Sequence, residues 1–339
     1  MTNILRTSKA KINILLLLIF LLFLSVILSL GIGQNFISFK SVYNAFFNYE
    51  QDSTKHLIVR STRLSRTIIA LVSGGSLAVS GALMQALTRN PLAAPGIFGL
   101  NSGAIFFLVI AANFFGITSM QISIWLAFLG AMTAGILVYV IASSGENGLS
   151  SLKIILAGAA VTALFHSFTQ GLLVINQSNL ESILFWISGS TAGRDLEMIM
   201  PLFPFIIFAI VLALILAKDI NILLIGEEMA AGLGQKTIII KLLLGLSIVI
   251  LAGSSVAAAG AISFIGLIVP HIARMLVGPD HKKLFPTAAI LGGIFLIVSD
   301  DLARILLAPM EIPVGIITAL TGGPYFIYLL RKQKKEIWG

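Results

Sequence analysis

The 339-residue chain contains no cysteine, which excludes disulfides, thiolate nucleophiles and cysteine-based metal sites. Charge is also scarce. Asp, Glu, Lys and Arg make up 11% of the residues, whereas 58% are hydrophobic and the mean hydropathy is +1.02. One soluble core cannot bury so much apolar surface. Apolar runs of about 20 residues, the length a helix needs to cross a bilayer, recur along the chain. The fold class implied is an all-α, polytopic membrane protein.

Catalytic equipment is missing as well. The stretch AGLGQKT (231–237) superficially resembles a phosphate loop, but Gln235 stands where G-x-x-x-x-G-K-[ST] requires glycine. His271 and His281 lack a metal-ligand spacing such as H-E-x-x-H, and no Ser–His–Asp arrangement is legible. Neither an enzyme nor a resident cofactor is expected. The pI of about 9.8 could indicate nucleic acid, but basic residues in polytopic proteins ordinarily mark cytoplasmic loops.

What is present is a succession of spans, near 12–33, 67–87, 97–116, 120–142, 152–175, 196–217, 238–258, 261–277, 286–303 and 313–330. The first is too long for a signal peptide and lacks a small-x-small cleavage site, so it is read as a retained span. The shortest, 261–277, contains Pro270, which is tolerated where neighbouring helices satisfy the freed backbone. The spans leave no room for a soluble domain, so residues 1–339 are expected to form one transmembrane domain.

With the N-terminus inside, Arg6, Lys9, Lys11, Arg89, Lys153, Lys218, Lys236, Lys241, Arg274, Lys282, Lys283, Arg331, Lys332, Lys334 and Lys335 are internal. These are 15 of the 22 basic residues. Lys40, Lys55, Arg60, Arg63, Arg66, Arg194 and Arg304 fall outside. The asymmetry predicts both termini in the cytoplasm. HLIVRSTRLSR (56–66) breaks that rule locally, with three arginines in seven positions at an outer span end. The span behind it repeats small residues, Gly74, Ala78, Ala82 and Ala86, on one stripe that lets other helices approach closely.

An ion-coupled secondary transporter is the alternative to a translocator driven from outside. Such carriers place an ionisable group within the membrane. The acidic residues here fall in loops or near span ends, and the mid-span candidate is His166, with Gln170 one turn later. A neutral histidine hydrogen-bonded to a neighbouring helix is the reading preferred for it. The longest inner connection, KDINILLIGEEMAAGLGQKT (218–237), predicts a short helix. Glu227 and Glu228 suit its positive end, and Gly232 or Gly234 its close. It is either a docking element or a solvated loop.

Five separated motifs resemble the FecCD family of permeases in family order. They are RLSRTIIALVSGGSLAVSGALMQALTRNPLAAPGIFGLNSGA (63–104), WISGS (186–190), GEEMAAGLG (226–234), GAISFIGLIVPHIARMLVGPDH (260–281) and SDDLARILLAPMEIPVGIITALTGGPYF (299–326). The likeness runs from about residue 60 to 330. It implies the membrane subunit of a binding-protein-dependent ABC importer for iron–siderophore complexes, haem or cobalamin, in the cell membrane and bathed by membrane lipid.

The resemblance further implies ten helices per subunit, two permease subunits around a shared path and two ATP-binding cassette ATPase subunits beneath. The copy matching Gly226, Glu227, Glu228, Met229, Ala230, Gly232, Leu233 and Gly234 would seat in a cleft of the ATPase. Arg63, Arg66 and Arg304 would face glutamates of an extracytoplasmic substrate-binding protein. Ser65 stands where the family commonly has proline, which loosens the helix start. Gln85, Asn101 and His166 are polar enough to line a path, although interhelical hydrogen bonding is the plainer use of each. The resemblance leaves the cargo open, and also whether the second permease is a copy of this chain.

Overall fold

A computed structural model describes residues 8–117, 119–144, 150–175 and 180–338; Arg6, counted above among the inner basic residues, lies outside them. Among the described residues the secondary structure is entirely helical. It comprises α1 (Ser8–Gly31), α2 (Phe39–Phe47), α3 (Thr54–Ile58), α4 (Leu64–Thr88), α5 (Leu100–Phe115), α6 (Met120–Ser143), α7 (Ser151–Ile175), α8 (Leu180–Ser188), α9 (Leu196–Ile199), α10 (Phe203–Leu223), α11 (Glu227–Gly232), α12 (Thr237–Ala259), α13 (Ile265–Val277), α14 (His281–Ile305) and α15 (Val314–Trp338).

Seven helical stretches are long and apolar enough to cross a membrane. α5 and α13 are apolar but shorter, and α14 has the length with charges at both ends. Each of the ten expected spans therefore falls on a helix. The protein is a multi-pass membrane protein.

α4 is the axis of the bundle. Every residue from Ser73 to Thr88 is buried, because α12, α13 and α14 pack around it. The small-residue stripe permits this. A Cβ on Gly74 would strike the carbonyl of Gly292 on α14, and one on Gly81 the carbonyl of Gly266 on α13. Backbones this close are held by dispersion contacts, since lipid removes the hydrophobic drive between helices. α1 instead exposes Leu16, Leu17, Phe20 and Phe23 on the outside of the bundle.

Two of the differences from the expected boundaries bear on the sites. The span expected at 261–277 starts four residues late, because Gly260 (φ 74°) ends α12 and Phe264 (φ 69°) precedes α13. The non-helical backbone between them is satisfied inside the protein. Ala261 N–H donates to Trp186 O at 3.0 Å, Ser190 N–H to Ala259 O at 2.8 Å, and Gly315 N–H to Gly189 O at 3.1 Å. Irregular backbone at membrane depth is tolerated where protein buries it in this way. The second difference lies before α4, where the chain is helical from Thr54, through a π turn at Val59–Arg63. The arginine cluster therefore sits on a helix, not on a loop.

Candidate functional sites at the two ends of the bundle

At one end, the structure brings Arg63, Arg66 and Arg304 together but turns their heads inward. Arg63, Arg66 and Arg304 are 6%, 6% and 2% exposed. Arg63 donates through Nη1 to the carbonyls of Leu30 (2.9 Å) and Gly31 (2.5 Å) and through Nη2 to Asn35 O (2.5 Å). Arg304 reaches Ser29 O at 3.2 Å and Ile32 O at 3.3 Å. Both therefore cap the C-terminus of α1, where orphan carbonyls and the helix dipole favour a cation.

Two further outer arginines do the same work. Arg60 donates to Ala45 O (2.6 Å) and Phe46 O (3.3 Å) at the end of α2 and lies 4.2 Å over the Tyr49 ring. Arg194 donates to Ala257 O (2.9 Å) in the last turn of α12 and stacks 4.1 Å over Trp186. Helix capping thus gives Arg60, Arg63, Arg194 and Arg304 a structural use at this end of the bundle.

Arg66 is bound by carboxylates, with Nη2 3.0 Å from Asp300 Oδ1 and Nη1 2.7 Å from Glu311 Oε2. Asp300 also accepts from Arg304 and from the Thr191 hydroxyl, while Arg304 lies 3.7 Å from Asp301. Two guanidinium groups, of Arg66 and Arg304, thus face three carboxylates, while Arg63 is held by backbone carbonyls. As expected outer docking charges the arginines are corrected in one respect: in this conformation all three are engaged within the subunit. Glu311 is the accessible member, its side chain about a third exposed (32%). Ser65, in the place of the common proline, donates to Ser61 O at 2.6 Å and accepts the Leu196 N–H at 3.4 Å, tying α4 to α9.

At the opposite end, α11 forms as the acidic pair and the glycines predict. Glu227 and Glu228 occupy its first turn. Its close is a Schellman turn at Gly234 (φ 82°), in which Gln235 N–H donates to Ala230 O (2.9 Å) and Gly234 N–H to Ala231 O (2.9 Å). Gly232 is merely the last helical residue, and a Cβ there would meet nothing. Ala230 is the buried anchor, while Met229 and Leu233 are 56% and 70% exposed. Both apolar side chains stand out from the loop.

The base of this loop is fastened to two long helices. Glu227 Oε1 lies 2.5 Å from Lys241 Nζ on α12 and 4.0 Å from Arg89 Nη2 just beyond α4. Arg89 also donates to Leu223 O on α10 at 2.9 Å. Gln235, whose presence rules out a phosphate loop, binds Asp219 O at 3.0 Å. A second strut runs from α10 to α14. Asn221 Nδ2 donates to Asp280 Oδ1 at 2.8 Å, and the His281 N–H returns to Asn221 Oδ1 at 3.1 Å. The Asn221 amide and neighbouring lysines draw the Asp280 carboxyl below its usual range, against the opposing effect of burial.

Of the polar candidates for a path, Gln85 is an interhelical bridge, donating to Leu267 O (3.3 Å) and accepting from Arg274 (3.0 Å). Asn101 lines a cavity of about 100 Å³ beside Ser263 and Phe264. His166 and Gln170 are exposed on α7, so the preferred hydrogen bond from His166 to a neighbouring helix is replaced by a free face. Among the described residues, no group of three His, Cys, Asp or Glu could hold a metal ion.

Comparison with known proteins decides between an importer subunit and an ion-coupled carrier. Residues 20–332 match the FecCD transport family. The chain belongs to that family. A probable siderophore transport system permease of Bacillus subtilis is 46% identical over 330 residues, covering 97% of this chain and 99% of the relative. A hemin transport system permease of Yersinia pestis is 37% identical over 329 residues, covering 95% and 97%. A solved structure described as an inward-facing conformation of a metal-chelate type ABC transporter superposes with a TM-score of 0.82 at 33% identity, covering 94% of this chain and 99% of that one. Proteins of this FecCD kind are permeases in the cell membrane, not enzymes.

Proposed function

We propose that this chain is the membrane-spanning subunit of a binding-protein-dependent ABC importer that carries a ferric siderophore or a related metal chelate into the cytoplasm. Residues 1–339 act as one transmembrane domain with both termini inside. A second permease subunit completes the path, ATP-binding cassette subunits meet the α11 side and a substrate-binding protein meets the opposite side.

The decisive feature is α11. It offers Met229 and Leu233 to a partner while Glu227 ties it to α12 through Lys241 and approaches Arg89 at the end of α4. Pressure on α11 from a closing ATPase dimer is thereby delivered to the spans. Gly226, Glu228, Ala230, Gly232 and Gly234 complete the coupling loop. On the outer side Arg63, Arg66 and Arg304 organise the docking surface. A partner carboxylate reaches Arg66 by taking the place of Glu311.

In vesicles holding the chain with its ATPase and binding protein, ferric-siderophore uptake should require ATP on the α11 side and persist when ion gradients are collapsed. Uptake driven by a proton gradient without ATP, and abolished by His166→Ala, would instead identify an ion-coupled carrier.

A further inference from the structure

Beside the loop that joins α13 to α14 lies a cleft. Ile12 and Leu15 of α1, Val277 of α13 and Lys282, Lys283 and Pro286 of α14 enclose a cavity of about 170 Å³. The Asn221–Asp280 hydrogen bond fixes its level at the α11 end of the bundle.

We propose that this cleft binds one anionic phospholipid of the leaflet on the α11 side. Its chemistry changes along its length in the way a lipid does. Lys282 and Lys283 are exposed, and among the described residues neither ammonium has a hydrogen-bond or ion-pair partner within 4.0 Å. The nearest carboxylate, Asp280, already accepts from the Asn221 amide and the Lys282 N–H. Below the two cations the walls are apolar. At roughly 30 Å³ for a water-sized group, the cavity takes about six such groups. That is the first stretch of one acyl chain, with the remainder lying along the exposed outer face of α1.

A free phosphate would satisfy the lysines and leave the apolar half wet, whereas a neutral lipid would fill the apolar half and leave the lysines unpaired. Basic clefts between membrane helices on the cytoplasmic side suit anionic head groups, and each lysine there is worth roughly a fivefold change in affinity. Asp280, which caps α14 and holds Asn221 six residues before α11, lies directly beside the head-group position. An occupied cleft therefore braces the foot of the coupling loop.

The test is lipid retention by the purified chain. The protein is taken from nanodiscs containing phosphatidylcholine and phosphatidylglycerol and analysed by native mass spectrometry. Phosphatidylglycerol should be retained over phosphatidylcholine. The pair Lys282→Gln/Lys283→Gln should lower that preference about 30-fold, and Leu15→Trp, which fills the apolar end, should lower it with both lysines intact. Lys218→Gln, on the same side, should not. Equal retention of the two lipids by the parent chain, which involves no variant and no folding question, overturns the proposal. So does undiminished retention by the double variant. Displacement of the lipid by millimolar inorganic phosphate alone would make the site an anion site and not a lipid site.

Discussion

Gly81 of α4 and Gly266 of α13 cross with so little space that a Cβ on Gly81 would fall inside the Gly266 carbonyl group. A backbone carbonyl cannot rotate away as a side chain can. Gly81→Val should therefore open the crossing and exceed the roughly 1–3 kcal/mol typical of overpacking. Gly171→Ala, whose Cβ would meet nothing, should be close to neutral. Thermal unfolding of both variants in one detergent checks the contrast, and equal melting temperatures would show that the crossing is looser than it stands.

Glu311→Gln should strengthen binding-protein docking by up to about fivefold, because it removes the internal competitor for Arg66 at a pair whose carboxylate is a third exposed and which is worth about 0.2–1 kcal/mol. Arg66→Ala should weaken docking, and both effects should shrink as salt rises. Arg63→Glu should act differently. Losing the cap on α1 lowers stability before any partner is added. Affinity by surface titration, with melting temperature alongside, separates the roles. If docking is unchanged by both Glu311→Gln and Arg66→Ala, the outer-surface proposal fails.

Gly234→Val should uncouple ATP hydrolysis from uptake in the assembled transporter, because a β-branched residue in the left-handed conformation costs about 1–2 kcal/mol and undoes the Schellman turn. Gly232→Ala should leave coupling intact. Moles of ATP hydrolysed per mole of chelate imported is the ratio to measure, and equal ratios for the two variants would remove Gly234 from the coupling loop's design.

His281, the first residue of α14, should give the protein an acid-sensitive limb. Burial and the nearby Arg274 push its imidazole down to about 4, with Asp280 opposing. Its Nδ1 lies 2.7 Å from Asn221 Oδ1, and Nε2 is buried without a partner among the described residues. The folded state thus holds the ring neutral while the unfolded chain protonates near pH 6.5. Stability from this group is complete above about pH 6.5 and declines as pH falls toward 4. His281→Gln should flatten that decline in melting temperature measured across the interval; an identical decline in both proteins would assign it elsewhere.

The spans and the short helix Glu227–Gly232 were legible because they rest on local patterns: apolar length, and an acidic pair followed by glycine. The small-residue stripe on α4 announced close packing but not its partners, since Gly292 and Gly266 lie some 200 residues onward. The outer arginines were legible as an anomaly, but the internal bonds that bury their heads were not. Their partners are backbone carbonyls, which no sequence displays, and Asp300 and Glu311, which are 234 and 245 residues from Arg66. The break at Gly260 was legible as the gap between the spans at 238–258 and 261–277, but its extent was not, because Phe264, a bulky residue at positive φ, continues an apolar run.

α4 ends in the outer ion cluster at Arg66 and, just past Thr88, in Arg89 beside the coupling loop. Its 25 residues make a rod of roughly 37 Å, buried along its inner two-thirds and so unable to shift without its neighbours. Linkage then works in both directions. Whatever free energy a docked binding protein contributes toward one position of the rod is returned, undiminished, as a dependence of docking on the state at α11. For an importer of the proposed kind this is a reciprocity of affinities: nucleotide bound on the α11 side would change the affinity for the receptor by the same factor as the receptor changes the affinity for nucleotide.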